Sequence, residues 1–207
     1  MLWLLLFTPL VGSALCAALH FAALRARRAG GSEQGPRMLA GLVACAAMAV
    51  ALALSLQSWW TLAHGPSELV LESSVWQWID AGEWKIELSL IADHLSSVML
   101  LVITGVGFLI HVYSVGYMGH DHDCARFFAY LNLFMGSMLL LILGNNYLVM
   151  FVGWEGVGLC SYLLIGYYYE EKFPPWAGRK AFIVNRVGDF AFLTGLLALF
   201  AHYGSLT

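Results

Sequence analysis

Six stretches of this chain are apolar for long enough to cross, or nearly cross, the hydrocarbon core of a bilayer. Such a core is roughly 30 Å thick and takes about 20 consecutive apolar residues as a helix. The runs fall at 2–24, 38–63, 88–113, 127–143, 147–169 and 182–203. Six of them in 207 residues leave little room for a soluble core. The composition agrees: 60% of residues are hydrophobic and 11% charged, where a soluble domain has about 45–50% and about 25%. Mean hydropathy is +0.75. A lipid-exposed segment must satisfy its own backbone hydrogen bonds, and these runs lack the alternation of barrel strands. The expected fold is therefore an all-α polytopic membrane protein of about six transmembrane helices.

The first run is not read as a signal peptide. No positive charge precedes it, Arg25, Arg27 and Arg28 follow it, and no small-residue cleavage site stands behind it.

Orientation follows from the basic residues in alternate connections. One side collects Arg25, Arg27, Arg28 and Arg37, then Arg126, then Lys172, Arg179 and Lys180. The other holds Lys85 beside Glu68, Glu72, Asp80, Glu83 and Glu87. By the positive-inside rule the first side is cytoplasmic, or matrix-facing in an organelle, and both termini lie opposite, so the N-terminus is extracytoplasmic.

The stretch at 64–87 is an extracytoplasmic loop. Trp76, Trp78 and Trp84 suit aromatic anchoring at headgroup level, and the alternation from Trp84 to Leu90 predicts a short β-hairpin. GNNY, residues 144–147, reads as a tight turn between spans four and five.

Several chemistries find no footing. GHDHDC, residues 119–124, offers two histidines, two carboxylates and a thiol, but consecutive residues rarely converge on one metal and no second ligand pair follows. The cysteines Cys16, Cys45, Cys124 and Cys160 form no C-x-x-C pair. GVGF and GVGL precede no phosphate-binding βα unit. The expectation is no cofactor and no metal on this chain, and no nucleic-acid partner.

Charges within the spans point elsewhere. A carboxylate at the bilayer centre costs about 2.5–3.5 kcal/mol on insertion scales, so it faces protein, a partner or water. In FVGWEGVGLC, residues 151–160, Glu155 stands eight residues into span five, about 12 Å deep at 1.5 Å per residue. Gly153, Gly156, Gly158, Cys160 and Ser161 keep the helix slim there, which suits a glutamate facing a packed interior. In KAFIVNRVGDF of span six, Asn185 and Asp189 at i,i+4 and Arg186 and Asp189 at i,i+3 share one face, so the arginine can hold the aspartate ionised. Asp93, His94 and His111 lie nearer span ends.

GWEGVGLCSYLLIGYYY, RKAFIVNRVGDF, TGVGFLIHVYSVGYM and RFFAYLNLF resemble, in register, the L (chain 5) antiporter-like membrane subunits of respiratory complex I, the proton-translocating NADH:quinone oxidoreductase. The resemblance covers essentially the whole chain. It implies a proton-translocation role for Glu155, Arg186 and Asp189, with His111 in support. It also implies an enzyme complex whose NADH, FMN, iron–sulfur clusters and quinone sit on other subunits. Partners would be the other membrane subunits of complex I, the lipid bilayer and the C-terminal half of the same subunit. The setting would be a bacterial inner membrane. Residues 1–118 would form three N-terminal helices, and 119–207 the start of the proton-translocating domain. Family members are much longer, and the central lysines of the family have no counterpart at mid-span here, which leaves a fragment, a truncated product or one piece of a split subunit. Two other readings stay open: a related cation/proton antiporter or inorganic-carbon-uptake subunit, and a truncated scaffold that transports nothing.

Overall fold

The computed structural model describes residues 1–30, 34–66, 68–81 and 84–206. Glu83 of the loop charge count lies outside the described residues, as do the side chains of Trp84 and Lys85. The elements run α1 (Leu2–Arg28), α2 (Gln34–Ala63), β1 (Leu71–Ala81), β2 (Trp84–Ala92), α3 (His94–Tyr117), α4 (Cys124–Leu143), α5 (Tyr147–Ile165) and α6 (Phe173–Tyr203). All six helices are long and apolar enough to cross a membrane. The fold is a polytopic helical membrane fold with one added hairpin.

Two span boundaries move by more than four residues. Span three starts at His94 rather than 88, because residues 84–92 are strand β2, antiparallel to β1. A short apolar strand entering a helix reads as one continuous run. The true start is marked by a capping box. The Ser96 amide donates to Asp93 Oδ1 at 2.7 Å, and the Asp93 amide donates to Ser96 Oγ at 2.8 Å. The Ser96 N–H and hydroxyl hold the Asp93 carboxyl below the usual carboxylate range. Span six starts at Phe173 rather than 182, with prolines in its first turn, where a missing N–H costs nothing. The basic residues Arg179 and Lys180, expected in a loop, ride on this extension.

Helices α1–α4 make a close bundle, and α5 and α6 extend it on the α4 side. Small residues let the helices approach. A Cβ on Gly12 would sit 2.7 Å from Ala47 Cβ, and one on Gly156 2.6 Å from Ser137 Oγ. Small interface residues are the usual means of close helix packing in lipid, where no hydrophobic drive operates between helices.

The hairpin is part of the packed structure. Trp76 and Trp78 are exposed, as membrane-interface anchors would be, while Leu90 is fully buried among Leu2, Leu5, Leu62, Leu100 and Leu143 at the bundle end. It also grips the turn before α5. The Asn145 amide donates to Ser89 O at 3.1 Å, Asn146 Nδ2 donates to Glu87 O at 2.8 Å, and Asn146 Oδ1 caps α5 by accepting from Val149 N at 2.9 Å. Asn145 Nδ2 donates to Glu72 Oε1 at 3.0 Å. The height and rotation of α5 are thereby fixed from the side opposite the basic loops.

Candidate functional site

Glu155 sits halfway along α5, where Gly153 and Gly156 bring that helix onto α4. A Cβ on Gly153 would strike the backbone of Leu140 and Leu141, so the two helices touch backbone to backbone there. This close approach turns the other side of α5 toward α6. Arg186 of α6 then reaches Glu155, its Nη1 paired with Glu155 Oε2.

The same guanidinium nitrogen lies 3.8 Å from Asp189 Oδ2, one turn along α6. Asp189 is in turn held by Trp154 of α5, whose indole Nε1–H donates to Asp189 Oδ1 at 2.7 Å. Trp154 stacks on Phe192 at 6.0 Å, and Phe192 in turn on Phe151 at 5.7 Å, so the indole rests on one ring that a second ring backs. The Arg186 guanidinium lies 4.6 Å above the Phe182 ring, a cation–π contact. One arginine is thus shared by two carboxylates on two helices, each carboxylate having a different second environment.

The local i,i+3 pair expected from sequence is present, but the closer partner of Arg186 is Glu155 on the neighbouring helix. Nor is Glu155 in a sealed interior. Its side chain is 22% exposed, that of Arg186 44%, and Asp189 is the buried member at 11%. Beside Asp189 and Trp154, a cleft of about 680 Å³ opens between α4, α5 and α6, lined also by Asn185, Ser161, Gly158 and Gly188. Asn185 therefore shares the face of Asp189, as its spacing predicts. Sequence reasoning missed Trp154. The signal that could have found it is an indole N–H beside an intramembrane glutamate, a donor that needs an acceptor when taken out of water.

His111 does not join this cluster. It is fully buried between α3 and α4, with Nδ1 2.7 Å from Gly107 O and its ring 6.4 Å from that of Phe128. Gly156 marks the level of Glu155 against Ser137 on α4, nine residues or about 13 Å along the helix from Phe128. His111 thus stands nearer the basic side than the carboxylates do. Asp93 and His94 serve at a helix end: Asp93 caps α3 and His94 Nε2 contacts Leu62 O at 3.1 Å.

Comparison with known proteins agrees with this architecture. Residues 78–128 match the family described as NADH-Ubiquinone oxidoreductase (complex I), chain 5 N-terminus, and residues 144–207 that described as NADH:quinone oxidoreductase/Mrp antiporter, TM. NADH-quinone oxidoreductase subunit L of Mycobacterium tuberculosis is 42% identical over 205 residues, 99% of this chain and 30% of the relative. Subunit L of Pseudomonas aeruginosa is 53% identical over 132 residues, 64% of this chain and 22% of the relative. Among solved structures, the Mrp complex from Dietzia sp. DQ12-45-1b superposes with a TM-score of 0.68 at 26% identity, covering 96% of this chain and 20% of that one. The chain spans less than a third of the length of these relatives.

Proposed function

Because this chain belongs to the family of antiporter-like membrane subunits typified by NADH-quinone oxidoreductase subunit L, we propose that it supplies part of a proton-translocation path in a proton-pumping NADH:quinone oxidoreductase. Relatives of this chain are subunits of multi-subunit membrane complexes. In this reading its own partners are the other membrane subunits and the remainder of the same subunit, in a bacterial inner membrane with the N-terminus extracytoplasmic. Electron transfer from NADH through FMN and iron–sulfur centres to quinone takes place on other subunits. This chain carries no redox step. Its helices up to residue 118 form the N-terminal part, and those from 119 onward begin the translocating unit.

The observation that carries the reading is the shared arginine. With Glu155 ionised, Arg186 is drawn to it across the helix interface. A proton arriving at a Glu155 carboxylate oxygen cancels that attraction, and the guanidinium moves toward Asp189, already within 3.8 Å and steadied by Trp154. Release of the proton restores the first arrangement. Two unit charges 4 Å apart attract by about 1 kcal/mol in water but about 4 kcal/mol at an effective dielectric near 20. The switch therefore gains strength when partner helices cover this half-open face.

The test is Glu155→Gln in the full-length subunit within its complex, which keeps shape and removes the titratable oxygen. NADH-driven proton uptake into inverted membrane vesicles should fall while subunit assembly, checked by native gel, stays intact. Normal pumping with assembly confirmed would refute the role. Asp189→Asn should lower pumping too, and also destabilise the α5–α6 pair, because Arg186 loses one of its two anions.

A further inference from the structure

The chain leaves α5 at Ile165 and enters α6 at Phe173, so the short corner between them sets how the helices carrying Glu155 and Arg186 stand to one another. This corner is held from α4. Arg126, in the first turn of α4, reaches across it: its Nη2 donates to Tyr167 O at 3.2 Å, and its guanidinium carbon lies 4.7 Å from the ring centroids of both Tyr167 and Tyr169. Asp123 pairs with the same guanidinium at 3.2 Å. Tyr167 is tied at its far end as well. Its hydroxyl donates to Asp121 Oδ1 at 3.0 Å, an oxygen that also accepts from the Asp123 amide at 2.7 Å. The Tyr167 ring is buried and meets Phe127 edge to face at 5.6 Å. A planar guanidinium can stack on rings, donate to a carbonyl and meet a carboxylate together; the compact ammonium of a lysine cannot.

From the corner a ladder of contacts runs inward along the α5–α6 interface. A Cβ on Gly178 would lie 3.2 Å from Tyr162 O and 3.4 Å from Gly166 N, so α6 rests directly on the last turn of α5. Tyr162 then meets Phe182 at 5.4 Å, Phe182 carries the Arg186 guanidinium at 4.6 Å, and Arg186 reaches Glu155. Tyr162 stands seven residues from Glu155, and Gly178 eight from Arg186, each step about two turns, or roughly 10–12 Å. The steps match, so the corner contact and the ion pair are two rungs of one register. Asp189 stands outside that register. It shares α6 with Arg186, and a slip between α5 and α6 would leave its i,i+3 spacing intact while drawing Glu155 away.

Resting on the proton-binding role proposed for Glu155, we infer that Arg126 is a positioning residue for that site: by holding the corner at Tyr167 and Tyr169 it fixes the α5–α6 register at which Arg186 is shared between Glu155 and Asp189. When the corner loosens, the arginine falls to the aspartate on its own helix and the glutamate loses its cation.

The experiment uses the full-length subunit within its complex and compares Arg126→Lys, Tyr167→Phe and Glu155→Gln. Two quantities are read per assembled complex: protons pumped per NADH oxidised, and the infrared carboxyl band that turnover raises and Glu155→Gln removes. Arg126→Lys keeps the charge beside Asp123 but loses the stacking on the corner. Its proton-to-NADH ratio should fall about twofold or more, since a small misplacement caused by a remote substitution is costly to a working group. The Glu155 band should shift, because the carboxyl has lost its guanidinium partner. Tyr167→Phe removes only the bond to Asp121 and leaves the ring under the guanidinium, so it should shift the band in the same direction by less. It decides the matter if Arg126→Lys does not assemble, an unshifted band then overturning the proposal. A merely structural Arg126 would lower the amount of assembled complex yet leave ratio and band as in the wild type, and that result would overturn it too. An unchanged ratio in Arg126→Lys beside an impaired Glu155→Gln would sink the positioning role alone. Normal pumping in Glu155→Gln would bring down both.

Discussion

Adding a single methyl group at Gly153 should do more damage than its size suggests. A Cβ there would lie against the Leu141 backbone nitrogen, 2.7 Å from Leu141 Cα and 3.0 Å from the Leu140 carbonyl carbon. Carbon atoms pack at about 3.5–4.0 Å. Backbone atoms in mid-helix cannot rotate away, so α5 must retreat from α4 by roughly 1 Å. Overpacking of this kind costs about 1–3 kcal/mol. The control is Gly158→Ala on the same helix, where nothing lies within 4 Å of the added carbon. There the better helix propensity of alanine should leave stability unchanged or raise it by up to about 1 kcal/mol. Reversible unfolding in mixed micelles with increasing dodecyl sulfate would give both values. If Gly153→Ala fell within about 0.5 kcal/mol of wild type, or matched Gly158→Ala, the backbone contact between α4 and α5 would be wrong, and with it the rotation that aims Glu155 at Arg186.

Other expectations follow from the same geometry. Asp93→Ala should cost about 1 kcal/mol by removing the α3 cap. Since the folded carboxyl is held below its ordinary value, the cap's contribution should be complete above about pH 4 and fade as pH falls through the lower folded value, which unfolding series at several pH values would show. Trp154→Phe keeps a ring against Phe192 but deletes the N–H on Asp189, and should destabilise by about 1.5–3 kcal/mol, as hydrogen bonds to charged groups do. Single cysteines near Gly30 and Ala177 should be protected from an external impermeant thiol reagent while one near Glu72 reacts; equal labelling at all three would sink the assigned orientation.

The spans were legible because crossing a bilayer demands length, and length is countable. Their ends were not, where two kinds of apolar segment abut. Residues 88–92 read as the start of a helix since hydropathy does not separate an apolar strand from a helix, although the Asp93 to Ser96 cap stood in the sequence as a marker. The extension of α6 back to Phe173 was hidden by Arg179 and Lys180, which can ride on a helix whose end lies in the headgroup region. At the site, the i,i+3 relation of Arg186 and Asp189 was local and so readable. The tighter pairing with Glu155 and the Trp154 hydrogen bond depend on how α5 is rotated against α4 and α6. That rotation is set by Gly153, Gly156 and the Asn145–Asn146 clamp acting together, and no periodicity within one helix reports it.

In the proposed mechanism Glu155 takes up and releases a proton while sharing Arg186 with Asp189. Infrared difference spectroscopy of the assembled complex, comparing resting and NADH-driven states, reads that event directly. A protonated-carboxyl stretch should appear during turnover, shift in deuterium oxide and be missing in Glu155→Gln. The same band persisting in Glu155→Gln, with pumping intact, would contradict it.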